Sequence, residues 1–388
     1  MNALEQMIYL DHQATTPVDP RVFAKMQPYF LTDFGNASSS QHAFGWSAQK
    51  AVETARSQVA TLIGAQGREI TFTSGATESI NWVFHGLAEL ASTQPVHVIT
   101  SNAEHSATIG ALESAQKRGV NVTVLPVNSV GAVSVEQVRQ ALTPTTRLVS
   151  LIYANNEIGT LNPIAEIGRL TRERGIWLHT DGTQAVGKLA VDVNALNIDL
   201  LSISGHKLYG PKGIGALYMR AQNPRIQLPP FICGGGQERG RRAGTLNVPG
   251  IVGLGAACEI ARQEFESEAQ RLTELRRFLQ KELSQLEGVT FNGDLEVRLP
   301  GNLSVTFADA PSSELYPYLQ NIAISTGSAC ASEGAKPSHV LTAIGLTEQQ
   351  ARCTFRLGLG RSTTLEQCQR VVSSFASGIG KIRDNLKT

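Results

Sequence analysis

From about residue 69 to residue 220 the chain alternates short β-rich runs with helix-like segments, and several of the runs are apolar throughout. "REITFTSG" reads as a strand and "ATESINWVFHGLAELA" as the helix after it. "VHVITSNAEH" is another strand, followed by helical "SATIGALESAQKRG". "VNVTVLPVN", "TRLVSLIYANNEIG", "GIWLHTDGTQ" and "DLLSISGHK" continue the series. A strand without a polar face has no side to give to water, so helices must cover both faces of its sheet. The pattern predicts an α/β fold around a mainly parallel sheet.

Beyond about residue 260 the character changes. "EIARQEFESEAQRLTELRRFLQKELSQL" is a long, charged amphipathic helix, a bridge to a second domain. After it, "RLPGNLSVTF" and "NIAISTG" read as strands and "TLEQCQRVVSSFASGIGKIRDNL" as a closing helix, which predicts a smaller α+β domain. The expected division is a large domain over 15–260 and a small one formed by 1–14 and 261–388. At 388 residues, 41% of them hydrophobic, the chain is long enough for two cores.

With 34 basic and 33 acidic residues there is no global field to steer nucleic acid or an anionic membrane. No apolar run reaches the length of a membrane span, and the N-terminal "MNALEQMIYLDHQ" lacks an apolar signal core. The five cysteines, Cys233, Cys258, Cys330, Cys353 and Cys368, are odd in number and widely spaced, which argues against a disulfide framework. No CxxC or HxxxH pair offers metal-ligand spacing, so no bound metal is expected. The default is a cytoplasmic enzyme with free thiols.

In a parallel α/β sheet, ligands bind outside the carboxyl ends of the strands. After the first strand comes "TSGATES": Gly75 and Ala76 let the backbone come close, and Thr77 opens a helix. That is an anion cradle, although Ser-Gly before a helix is more often a plain cap. Other strands end at Glu104-His105, at Asn155-Asn156, and at Asp181 with Gln184 nearby. The last leads to "SGHK", with Ser204, His206 and Lys207. Singly, a strand-end Asp is a cap and a lone Lys is solvated. Together they match one cofactor, pyridoxal phosphate. It needs a lysine amine for a Schiff base, a carboxylate at its pyridine nitrogen and a phosphate cradle. It also wants hydrogen bonds to its phenolic oxygen and a flat group on its ring.

"DHQATTPVDP", "SGATES", "EHSA", "NNEIG", "HTDGTQAVGKL", "SGHKLYGPKGIGALY", "GGGQERGRRAGT" and "GSAC" resemble, in order and spacing, the pyridoxal-phosphate-dependent cysteine desulfurases. The match is to the class serving nitrogen fixation and iron–sulfur cluster assembly, from about residue 7 to residue 375. The resemblance implies the aspartate-aminotransferase-like fold and a homodimer. It also implies conversion of L-cysteine to L-alanine, with sulfur left as a persulfide for an acceptor such as an iron–sulfur scaffold protein. Lys207 is then the Schiff-base lysine and a proton carrier. Asp181 pairs with the pyridinium, and His105 stacks on the ring. Asn156 and Gln184 meet the phenolic side. Ala76, Thr77, Ser204 and His206 hold the phosphate, with Thr245 reaching it from the other subunit. Arg356 clamps the substrate carboxylate, helped by Asn156.

Cys330 sits in "ISTGSACASEG", where Gly, Ser and Ala leave the backbone many conformations. The implied chemistry gives such a thiol two tasks: to attack the substrate sulfur, and then to carry the persulfide out to an acceptor. Ala331 departs from the hydroxyl residue common in this class. Cys233, Cys258, Cys353 and Cys368 read as inert packing. A selenocysteine lyase, a cystine C–S lyase or an aminotransferase of the same fold would share Lys207 and Asp181 but not need Cys330. A non-catalytic binding protein would need neither.

Overall fold

A computed structural model describes residues 7–326 and 337–387. Among these residues thirteen strands form three sheets. The largest holds β2 (Ile70–Thr73), β3 (Val96–Ser101), β4 (Val120–Leu125), β5 (Thr146–Ile152), β6 (Trp177–Asp181), β7 (Leu200–Ser204) and β8 (Gly215–Met219). Their order across the sheet is β2-β8-β7-β6-β5-β3-β4. β8 alone runs against its neighbours, so β2 beyond it points the same way as the parallel strands. The chain steps outward from β3 to β4, returns to place β5 on the other side of β3, and then moves away through β6 and β7. The carboxyl ends of β3 and β5 therefore flank the point where winding reverses, the preferred place for a ligand crevice.

The apolar strands are buried as their composition requires: every residue of β2, β3, β6 (Trp177 excepted), β7 and β8 is buried. α1 (Ala43–Leu62) packs one face, and α2 (Ala76–Ala91) with α3 (Ser106–Gln116) packs the other. The long helix is longer than the charged stretch suggests. α4 spans Val248–Leu283, opened by Asn247, whose side chain accepts from Gly250 N–H. Its first three turns are apolar and enter the large core through Val248, Ile251, Leu254 and Ala257. Further along, Leu272, Leu275 and Leu279 enter a second core. Charge pattern alone hides the first half, because a helix apolar all round shows no amphipathic stripe.

The second core lies over a four-stranded antiparallel sheet of order β12-β13-β10-β9. Its strands are β9 (Val289–Asn292), β10 (Asn302–Phe307), β12 (Ser325–Thr326) and β13 (Thr354–Gly358), and α5 (Leu365–Lys387) covers it. The N-terminal β1 (Ile8–Tyr9) pairs in parallel with β11 (Ile322–Ala323), so Ile8 and Leu10 join this core. Val340, Leu341, Ile344 and Ala351 pack instead into the large core.

Candidate active site

The carboxyl ends of the large sheet open on a cavity of about 550 Å³. Ala76, Thr77, His105, Asn156, Asp181, Gln184, Ser204, His206 and Lys207 all line it. Each arrives by a strand: His105 after β3, Asn156 after β5, Asp181 as the last residue of β6, and Ser204 as the last of β7. A tight 3₁₀ turn over Gly205–Lys207 then turns His206 and Lys207 back to the opening.

The anion end is built by backbone. Gly75 precedes α2 with φ 155° and ψ 178°, a conformation open essentially to glycine. No side chain caps this helix, so its first N–H groups are left for a ligand, with the helix dipole behind them. Ser204 Oγ lies beside Gly75. The nearby Glu78 carboxylate is engaged by Ser74 N–H and by the Arg242 guanidinium, which keeps its charge off the cradle.

At the opposite end, Lys207 Nζ donates to the carbonyls of Gln13 and Ala14 at 2.5 and 2.6 Å. Burial, and after it the Arg356 guanidinium, bring this amine down to about 8, so a reactive neutral fraction exists near neutral pH. Asp181 is buried, and its Oδ1 accepts from Thr183 N–H at 3.0 Å. His105 caps α3 by accepting Ala107 N–H on Nδ1 at 3.1 Å, which puts the proton of the neutral ring on Nε2. Burial holds its pKa down against the pull of Asp181. His206 Nδ1 is hydrogen-bonded to Thr15 Oγ1 at 3.1 Å, and burial with the neighbouring lysines lowers its pKa to about 4. Gln184 Nε2 donates to the Gln13 carbonyl at 2.9 Å.

An uncapped helix N-terminus, a buried carboxylate, an imidazole and a lysine held only by carbonyls, all around one cavity, fit pyridoxal phosphate. The class V aminotransferase family model matches residues 8–371. The chain is 49% identical to the cysteine desulfurase IscS of Anaeromyxobacter dehalogenans (strain 2CP-C), over 97% of this chain and 93% of that protein. It is 47% identical to the IscS of Rickettsia rickettsii (strain Iowa), over 99% and 93%. Among solved structures, a NifS-like protein superposes with a TM-score of 0.89 at 36% identity, covering 98% of this chain and 99% of that one. The chain belongs to the cysteine desulfurases. As a member of the class V aminotransferase family it depends on pyridoxal phosphate, and it mobilises sulfur from L-cysteine.

Two of the expected desulfurase residues, Arg356 and Thr245, lie outside this cavity. Arg356, on β13, is not in the wall of the cavity. Its guanidinium donates to Asp11 Oδ1 at 2.8 Å, to Ser325 Oγ at 3.1 Å and to the Asn156 carbonyl at 3.0 Å, and its buried Nε has no partner among the described residues. Thr245 is exposed and does not line the cavity of its own chain. Cys330 lies outside the described residues. The packing reading holds for Cys258, Cys353 and Cys368, which are buried; burial raises all three thiols, Cys368 to about 11. It fails for Cys233, which is exposed. The apolar residues beside it in "PPFIC" belong to a surface segment, where Ile232 is itself exposed.

Other residues that shape the site or support it carry no role in the sequence reading. Asp11, Gln13 and Ala14 sit in the quoted "DHQATT" block, where a polar stretch directly after a strand was the available signal. Glu238 could not be found that way. By resemblance the "GQERGRRAGT" stretch is a dimer-interface segment and otherwise a solvated loop, and neither reading gives Glu238 a place: it is buried and accepts from both terminal nitrogens of Arg56 and from Phe72 N–H. Only the packed fold brings Arg56 and Glu238 together.

Proposed function

We propose that Lys207, Asp181, His105 and Cys330 carry the desulfurase reaction, with Ala76, Thr77, Ser204, His206, Asn156 and Gln184 holding the cofactor. The observation that carries this reading is Lys207, near-neutral in its titration and held by two main-chain carbonyls, across one cavity from Asp181 and the bare start of α2. Bound there, pyridoxal phosphate supplies an electron sink that weakens bonds at the α- and β-carbons of the substrate. Asp181 holds a proton at the ring nitrogen. Lys207 moves the α-proton, and His105 offers its Nε2 proton beside the ring. Arg356 binds the substrate carboxylate, and to do so it exchanges Asp11 for the substrate. The Cys330 thiolate attacks the substrate sulfur, forming an S–S bond as the C–S bond breaks. The electron pair stays on carbon, which takes a proton to give L-alanine. The persulfide on Cys330 then passes to an acceptor, for which an iron–sulfur scaffold protein is the expected partner.

We also infer a homodimer in which Thr245 completes the partner's phosphate cradle. Two features support it. Phe30, Leu31, Phe34, Phe44 and Trp46 expose half or more of their surface within one stretch of the chain, more apolar area than a monomer ordinarily leaves to water. Thr245 is exposed beyond the Arg56–Glu238 anchor and away from its own cavity. The chain is read as a large unit over 15–260 and a small unit of 1–14 with 261–388, working in the cytoplasm. Among the described residues no helix is long and apolar enough to cross a membrane. Incubation with L-cysteine and a thiol reductant tests the proposal: alanine and sulfide appear together in equal amounts. Alanine without sulfide, or keto acid in place of alanine, contradicts it.

A further inference from the structure

Lys188 lies behind Lys207, and nothing in the proposed chemistry uses it. It follows Gln184 by four residues, and its Nζ donates to Gln184 Oε1 at 2.8 Å. The other end of the same amide, Nε2, donates to the Gln13 carbonyl at 2.9 Å. Behind Lys207 lies a separate, narrow cavity of about 30 Å³, lined by Lys188, Lys207, His12, Gln13 and Glu268. His12 Nε2 and Gln13 Oε1 are buried without partners among the described residues. A space of that size admits a water or two, which can join these acceptors to the remaining N–H groups of Lys188.

The two ends of a glutamine amide are chemically opposite: the oxygen only accepts and the nitrogen only donates. A lysine ammonium only donates, so it must meet the oxygen. A flipped amide would set Nε2 against the ammonium and Oε1 against the Gln13 carbonyl, two repulsive contacts at once. With Oε1 on Lys188, one N–H goes to Gln13 and the second is left for the cofactor. We infer that Lys188 is a positioning residue that locks the Gln184 amide, nitrogen end toward the phenolic oxygen of the cofactor, and adds positive charge behind it. This rests on the reading of Gln184 as a ligand of that oxygen.

The lock depends on Lys188 keeping its proton. Burial, with Lys207 next, lowers its amine to about 7, Arg356 acts in the same sense, and Glu268 on α4 opposes them. His12, from the N-terminal segment, faces the same charge. A Lys207 joined covalently to the cofactor no longer carries a full ammonium of its own, and Lys188 then holds its proton to higher pH.

The test is a pH titration of the visible absorption band of the holoenzyme. An N–H donor and a cation beside the ring oxygen favour the chromophore that has lost its proton, so both keep the titration midpoint low. Lys188→Met should raise the midpoint by about one pH unit. Lys188→Arg, still an all-donor cation, should restore most of it. KM for L-cysteine should stay unchanged in both. In a Gln184→Ala background, Lys188→Met should shift the midpoint clearly less, because the amide it orients is gone. An unshifted midpoint in Lys188→Met overturns the proposal. So does an equal shift with and without Gln184, which would mean charge or space-filling alone. If the methionine variant fails to fold, Lys188→Leu, which also offers no donor, gives the same reading, and an unshifted midpoint there is equally decisive. Failure of the underlying site assignment looks different: borohydride reduction would then fix the cofactor to a lysine other than Lys207.

Discussion

The seven-stranded and four-stranded sheets feed the same chemistry by different geometries. In the large sheet the parallel strands end together, so His105, Asn156, Asp181 and Lys207 arrive at one opening from one sheet edge. In the small sheet the strands are antiparallel, and no edge collects side chains. It contributes Arg356 from mid-strand on β13, and β12 pairs with that strand just before the Cys330 segment begins. Contact between the two is electrostatic and main-chain: Arg356 donates to the Asn156 carbonyl and depresses the Lys207 amine. The lesson is a division of labour. Under the proposed roles the large sheet's residues hold the cofactor and handle carbon, and Arg356 of the small sheet clamps the substrate's carboxylate.

The largest effects should separate these halves. Lys207→Ala should lower turnover by about 10²–10⁴-fold or more and lose the covalent cofactor link. Cys330→Ala should lose alanine and sulfide production as completely, yet still change the visible spectrum on adding L-cysteine. If Cys330→Ala showed no spectral response to substrate, the two halves would not be separable. A large structural effect is expected on the large-sheet side only. Glu238→Ala strands the buried Arg56 guanidinium and should destabilise the chain by about 3–5 kcal/mol in denaturant titration.

Smaller effects sharpen the link across the boundary. Arg356→Gln should raise KM for L-cysteine by about 10–100-fold, the value of one charge-assisted carboxylate contact, with less change in kcat. The same variant has a second readout. The neutral Lys207 amine is the form that captures cofactor, so uptake by apoprotein should climb about tenfold per pH unit at first and level off near pH 8. Removing the Arg356 charge should move that midpoint upward. A midpoint unmoved by Arg356→Gln would break the proposed coupling. Smallest of all, Cys368→Ala should cost about 1 kcal/mol of stability and no activity, as a buried thiol of raised pKa in the second core.

The two sheets also differ in how far sequence discloses them. Fully buried parallel strands read as continuous apolar runs, and their functional residues follow directly in the chain, so Asp181 and Lys207 could be listed before any fold was known. Arg356 carries no such marker, because an antiparallel strand places function in the middle of its alternation. Glu238 and Lys188 were invisible for another reason. Their roles come from partners far away or from a hydrogen-bond direction, the Arg56 guanidinium in one case and the Gln184 amide oxygen in the other. The first turns of α4 escaped because a helix apolar all round has no stripe to read.

The division of labour is tested most directly by mapping the persulfide after a single turnover. The wild-type protein, given one equivalent of L-cysteine, trapped with an alkylating reagent and digested, should carry the extra sulfur on the Cys330 peptide. Cys258, Cys353 and Cys368, buried and held up in pKa, should carry none, and exposed Cys233 should carry none because no substrate sulfur reaches it. Sulfur found first on any of those four, or normal alanine output from Cys330→Ala, would contradict the account.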